Sequence, residues 1–125
     1  MHADKGDALN GLGRYRGAMK AYEEAIRLDP NNALAYRSKI RTLYTLRRYE
    51  EAIETCEQLI RLNPNDTGVH NAKGDALYTL GDHEEAIKAY EQAIRLDPTN
   101  ALAYSGKDAA LKKLKKATRR WWLFR

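Results

Sequence analysis

Apolar residues recur along this chain in steps of three and four. Leu9 and Leu12 return as Leu43 and Leu46, as Leu77 and Leu80, and as Leu111 and Leu114. Ala18, Tyr22, Ala25 and Ile26 return as Ala86, Tyr90, Ala93 and Ile94. Such steps place side chains on one stripe of an α-helix. The pattern predicts helices over 2–12, 15–28, 33–46, 49–62, 67–80 and 83–96, and a last helical segment from 101. Short turns at Gly13-Arg14, Arg47-Arg48 and Gly81-Asp82 divide each pair of helices. Asp-Pro or Asn-Pro turns divide one pair from the next, because proline disfavours helix in the residue before it. No segment calls for a strand.

The prolines stand at 30, 64 and 98, two equal intervals of 34 residues. Residues 21–36 and 89–104 agree at 14 of 16 positions. A fixed period of this size marks a solenoid of stacked units, none of which buries its apolar stripe alone. The predicted fold is one all-α domain over 1–125, with units at about 1–32, 33–66 and 67–100 and a C-terminal helix over 101–125.

With those residues in view, the chain resembles the tetratricopeptide repeats. Gly6 and Gly74 match the family's small residue in the first helix of a pair. Ala18, Ala52 and Ala86 match its alanine early in the second, Tyr22 and Tyr90 its aromatic, and Ala25 and Ala93 its second small residue. Helices approach to roughly 8–10 Å only where the side chains at the crossing are small. The resemblance implies a right-handed α-solenoid of about three helical hairpins with a capping helix.

The middle repeat departs from its neighbours. Ile40 stands where they have glycine, Leu59 where they have alanine, and Cys56 where they have tyrosine. Two residues grew and one shrank, which predicts a local exchange of volume with Cys56 in the core. Lys5, Lys39, Lys73 and Lys107 occupy a place that is usually apolar in the family, where a stem lies along the helix and the ammonium reaches water. The chain begins part-way into the first helix of its first repeat, as a fragment or an engineered array does.

Charge changes the picture at one end. The net charge is +5, but residues 101–125 hold eight Lys/Arg and one acid, Asp108. The first hundred residues hold 14 basic and 16 acidic groups and are close to neutral. The basic groups belong to no recognisable nucleic-acid fold, so no nucleic-acid partner is expected. One cysteine excludes an internal disulfide and fits a reducing, cytoplasmic setting. Catalysis finds no footing. Gly11 to Gly17 is a turn with no strand before it, and the adjacent glutamates at 23–24, 50–51 and 84–85 recur with the repeat as solvated faces. His2, His70 and His83 share no ligand spacing, and His70 stands in the register of Tyr36 and Tyr104 as a packing residue. No enzyme activity, metal or cofactor is expected.

The remaining expectation is binding. The first helices of stacked pairs line a concave wall, and by resemblance that groove holds an extended peptide or a partner helix. The residues facing it are Asp7, Asn10, Arg37, Arg41, Tyr44, Asn71, Asp75, Tyr78, Ser105 and Lys112. Asp7, Arg41 and Asp75 alternate in sign along one row and either pair with each other or leave Arg37 and Arg41 to hold a ligand carboxylate, with Asn71 donating. One subset of the family clamps the carboxylate of chaperone tails with lysine, asparagine and arginine. The matching places here hold Ala3, Asp7, Ser38, Asn71 and Asp75, so no such clamp is expected. After Leu114 one long helix is preferred over a hairpin turning at Lys115-Lys116. Its apolar residues, Leu114, Trp121, Trp122 and Phe124, are read first as a self-association surface giving a homo-oligomer. Folding back on the last repeat and attachment to an anionic membrane are the lesser readings. A structural or engineered array that only assembles is the alternative function.

Overall fold

The computed structural model describes Lys5, Gly6 and residues 13–123, except the side chains of residues 120–122. Among the described residues six helices are delimited at both ends: α1 (Tyr15–Leu28), α2 (Ala33–Thr45), α3 (Tyr49–Leu62), α4 (Thr67–Thr79), α5 (His83–Leu96) and α6 (Ala101–Leu123). No strand occurs among the described residues. The chain forms two compact units, Met1–Pro64 and Asn65–Arg125.

Four helices begin at a side-chain cap, α5 among them, where Asp82 accepts from the backbone N–H of Glu85 at 3.4 Å. Asn32 accepts from the backbone N–H of Ala35 at 3.1 Å, Asp66 from that of Val69 at 3.3 Å, and Asn100 from that of Ala103 at 3.2 Å. These bonds satisfy donors that have no partner inside the helix. The Asp-Pro turn before α6 is tied by Asp97, whose Oδ1 accepts from the Thr99 hydroxyl at 2.6 Å and from its N–H at 3.1 Å. The hydroxyl bond, and then the backbone bond, hold this carboxyl below its usual range.

α2 and α4 stop one residue earlier than their hydrophobic pattern suggests. Leu46 and Leu80 are C-caps, with φ, ψ of −79°, 0° and −76°, −7°. The following residue takes a left-handed conformation, at φ 60° for Arg47 and φ 87° for Gly81. The chain then closes with Arg48 N–H donating to Leu43 C=O and Asp82 N–H to Leu77 C=O, both at 2.9 Å. Gly13 takes φ 78° at the same register in the first turn. Arg47 therefore carries a conformation that its two register mates meet without a Cβ. Arg47→Gly is expected to stabilise the chain by about 0.5–1 kcal/mol in urea denaturation, the relief of strain exceeding the flexibility added to the unfolded chain.

In the first unit, Met19, Leu43 and Ala52 form a buried cluster with Leu46 against it, and Ala25 and Ala35 form a second with Ile26. Ala18 and Ala52 are fully buried, as residues at helix crossings must be. The middle-repeat departures all lie inside: Ile40 and Leu59 are buried, and Cys56 is 0% exposed. By register Ile40 fills the place of Gly74 and Cys56 that of Tyr90. The Cys56 thiol is expected to react with Ellman's reagent only on unfolding, so that labelling tracks the loss of helical circular dichroism. Prompt labelling of folded protein overturns that placement.

In the second unit, α4, α5 and α6 pack on one another, with Ala76, Ala86, Ala93, Ala103 and Ala110 all at 0% exposure. His70 is buried, as its register predicts. Lys107 is half-buried and its Nζ lies 3.3 Å from Glu91 Oε2, so its stem crosses from α6 to α5 before the charge reaches solvent. α6 runs to Leu123 with no turn at Lys115-Lys116.

Candidate functional site

A cleft of about 340 Å³ opens in the second unit between α4 and α6, floored by α5. Its width follows from two glycines. The Tyr90 ring, 2% exposed, lies so close to α4 and α6 that a Cβ added to Gly74 falls 2.7 Å from Cε1 and one added to Gly106 falls 2.4 Å from Cζ. Neither helix can carry a side chain there without moving the ring. Tyr90 therefore lies flat under the cleft and sends its hydroxyl out at the cleft wall. That hydroxyl donates to Asp75 Oδ1 at 2.5 Å. The bond links α5 to α4 and fixes one carboxylate oxygen, while the Asp75 side chain is otherwise exposed.

Asn71 stands one turn before Asp75 and shares its helix face. Its Oδ1 is buried and no donor reaches it. Tyr78 adds an aromatic wall, held by an edge contact with His83 at 5.2 Å between ring centroids. Across the cleft, Ser105 and Leu102 line the α6 side, and Leu102 is 77% exposed. No lysine or arginine is among the residues that line it.

The structure thus brings Asn71, Asp75, Tyr78 and Ser105 into one cleft. Lys112 is exposed on α6 and does not line it. Three more of the expected groove residues stand on α2 in the first unit: Arg37 and Arg41 are exposed, and Tyr44 is half-buried with its ring 5.0 Å from that of Tyr49. Asp7 and Asn10 lie outside the described residues. So do Phe124 and the side chains of Trp121 and Trp122. Leu114 is half-buried beside Lys115, Thr118 and Arg119 in a shallow depression on α6.

Sequence reasoning missed the part played by Tyr90, Leu102 and Gly106. Tyr90 reads as a core aromatic, and its hydroxyl is invisible to hydrophobic periodicity. A signal was present nonetheless. Tyr90 follows Asp75 by 15 residues, as Tyr22 follows Asp7, whereas Cys56 follows Arg41. The acid and the tyrosine occur together and depart together.

Among the described residues no group of three His, Cys, Asp or Glu side chains is placed to hold a metal ion. No described helix is long and apolar enough to cross a membrane.

Curated proteins offer no match to the sequence. A family model described as tetratricopeptide repeat matches residues 3–67, 41–101 and 71–113. The first such domain of human RPAP3 is 24% identical, with a TM-score of 0.85 over 94% of this chain and 93% of that one. The first such domain of Spaghetti (RPAP3), bound to the HSP90 peptide SRMEEVD, is 25% identical, with a TM-score of 0.85 over 91% and 90%. The second domain of human RPAP3, in complex with the HSP70 peptide SGPTIEEVD, is 28% identical, with a TM-score of 0.81 over 87% and 91%.

Proposed function

Because this chain belongs to the tetratricopeptide repeat family, an all-α family of non-enzymatic protein–protein interaction modules, we propose that it binds an extended peptide segment in the cleft between α4 and α6. The observation that carries this reading is the cleft itself. Polar atoms of Asn71, Asp75 and Ser105 and apolar walls from Tyr78 and Leu102 converge on one concavity. A few placed polar groups amid apolar contact is how peptide and ligand sites set orientation. Two of the similar structures hold peptides of HSP90 and HSP70, which supports a protein or peptide partner. An EEVD tail is not the occupant proposed here. A clamp for a terminal carboxylate needs cations, and the matching places in the second unit hold Asn71 and Asp75.

Selection of random decapeptides displayed on phage against the full chain tests the proposal. Peptides recovered this way are expected to shift the amide resonances of Asn71, Asp75, Tyr78 and Ser105, while the peptide SRMEEVD does not saturate below millimolar concentration. Failure to recover any peptide, or shifts confined to other residues, overturns it.

Exposed apolar residues on α6 favour a second reading, self-association. Tyr104 is 46% exposed where its register mate Tyr36 is 8% exposed, and Leu123 is 77% exposed. Sedimentation of the full chain beside one ending at Ala117 decides this: if both are monomers, self-association through α6 fails.

A further inference from the structure

We propose that the cleft between α4 and α6 is a pocket for a cationic side chain, a lysine or arginine carried by the bound segment. This rests on the peptide-binding reading and adds to it the charge of the residue that enters. Among the described residues that line the cleft, Asp75 alone carries a formal charge. The Tyr90 hydroxyl occupies one of its oxygens and orients the carboxylate, leaving the second oxygen to accept. Asn71 supplies an independent pointer. A buried acceptor without a donor carries a desolvation cost that a bound N–H removes, and its terminal torsion is broad, so the amide oxygen turns to the cleft at little cost. An ammonium or guanidinium brings several donors, enough for both acceptors at once. The aliphatic stem behind the charge has apolar surface to lie on, with Tyr78 on one side and Leu102 on the other.

The alternatives fit worse. An acidic side chain meets the charge of Asp75 with no cation to answer it. A purely apolar one leaves both acceptors without a donor and places carbon against a carboxylate. Lys112 lies on the same helix as Ser105 but off the cleft lining, so it does not neutralise the wall directly.

The test uses the full chain and the displayed decapeptide library. Recovered sequences are expected to be enriched in Lys or Arg at one fixed position. Synthetic peptides then carry lysine or the uncharged norleucine at that position, with affinity read by fluorescence anisotropy. The lysine form is expected to bind about tenfold more tightly, as suits a hydrogen bond to a charged group. In Asp75→Asn, whose amide oxygen still accepts from Tyr90, that tenfold advantage of lysine over norleucine is expected to disappear. Ser105→Lys, at an exposed position, gives a second route and is expected to weaken the lysine peptide selectively. Enrichment in acidic or uncharged residues overturns the proposal and leaves the peptide-binding reading standing. Equal loss for both peptides in Asp75→Asn also overturns it. Recovery of no peptide overturns both readings.

Discussion

Gly74→Ile is expected to destabilise the chain by about 3 kcal/mol, at the upper end for forcing extra carbon into a close-packed interior. The cause is the Tyr90 ring. A Cβ at Gly74 lies 2.7 Å from Cε1, and the ring cannot retreat because Gly106 approaches the same ring from α6. Tyr90→Cys is expected to cost about 3–4 kcal/mol by itself, since it empties an almost fully buried site and removes the bond to Asp75. The middle repeat carries the matching pair, Ile40 with Cys56, and keeps both buried. Gly74→Ile combined with Tyr90→Cys is therefore expected to cost far less than the two separately, with a coupling energy of at least about 2 kcal/mol. Guanidinium denaturation of the four proteins in this cycle measures it. Additive costs show that Ile40 and Cys56 are unrelated departures, and the volume exchange is then wrong.

That cycle also marks what the sequence discloses. The 34-residue interval, the proline turns and the helical stripes were legible because each recurs, and recurrence separates a structural requirement from an accident of composition. Gly81 and Arg47 were both legible as turns, whereas the left-handed conformation at Arg47 is seen only in the structure. The cleft was legible in part. Asn71, Asp75 and Tyr78 share a helix face by their spacing of four and three, and Ser105 joins them through its 34-residue register with Asn71 and the groove that the family resemblance implies. What remained hidden depends on distances between helices. The joint recurrence of acid and tyrosine links Asp75 to Tyr90, but nothing in the order of residues says that the hydroxyl ends 2.5 Å from the carboxylate, or that the Asn71 oxygen finds no donor. Register likewise gives the side of a helix a residue occupies, but not whether a following helix covers it. Tyr36 and Tyr104 share a register and a local text, yet one is buried and the other half open.

Leucines show the same divide with larger energies. Leu43 and Leu80 both belong to the stripe that recurs in every repeat, and periodicity gives them equal standing. In the structure Leu43 is 0% exposed, enclosed with Met19 and Ala52, whereas Leu80 is 46% exposed at the C-cap of α4. Leu43→Ala removes four heavy-atom positions' worth of contact less one, and the alanine and methionine around it sit on separate helices that cannot all close on the gap. The expected loss is about 3–4 kcal/mol, within the range for a leucine whose site relaxes only in part. Leu80→Ala gives up only the buried half of a side chain and opens no enclosed cavity, so about 1 kcal/mol is expected from area alone. Chemical denaturation of the two variants beside the parent separates the cases, and equal losses show that the C-cap leucine is as enclosed as the core one. Leu43→Met, which keeps the volume, is expected to cost under about 1.5 kcal/mol, and that outcome identifies the missing volume, and not altered helix propensity, as the cause.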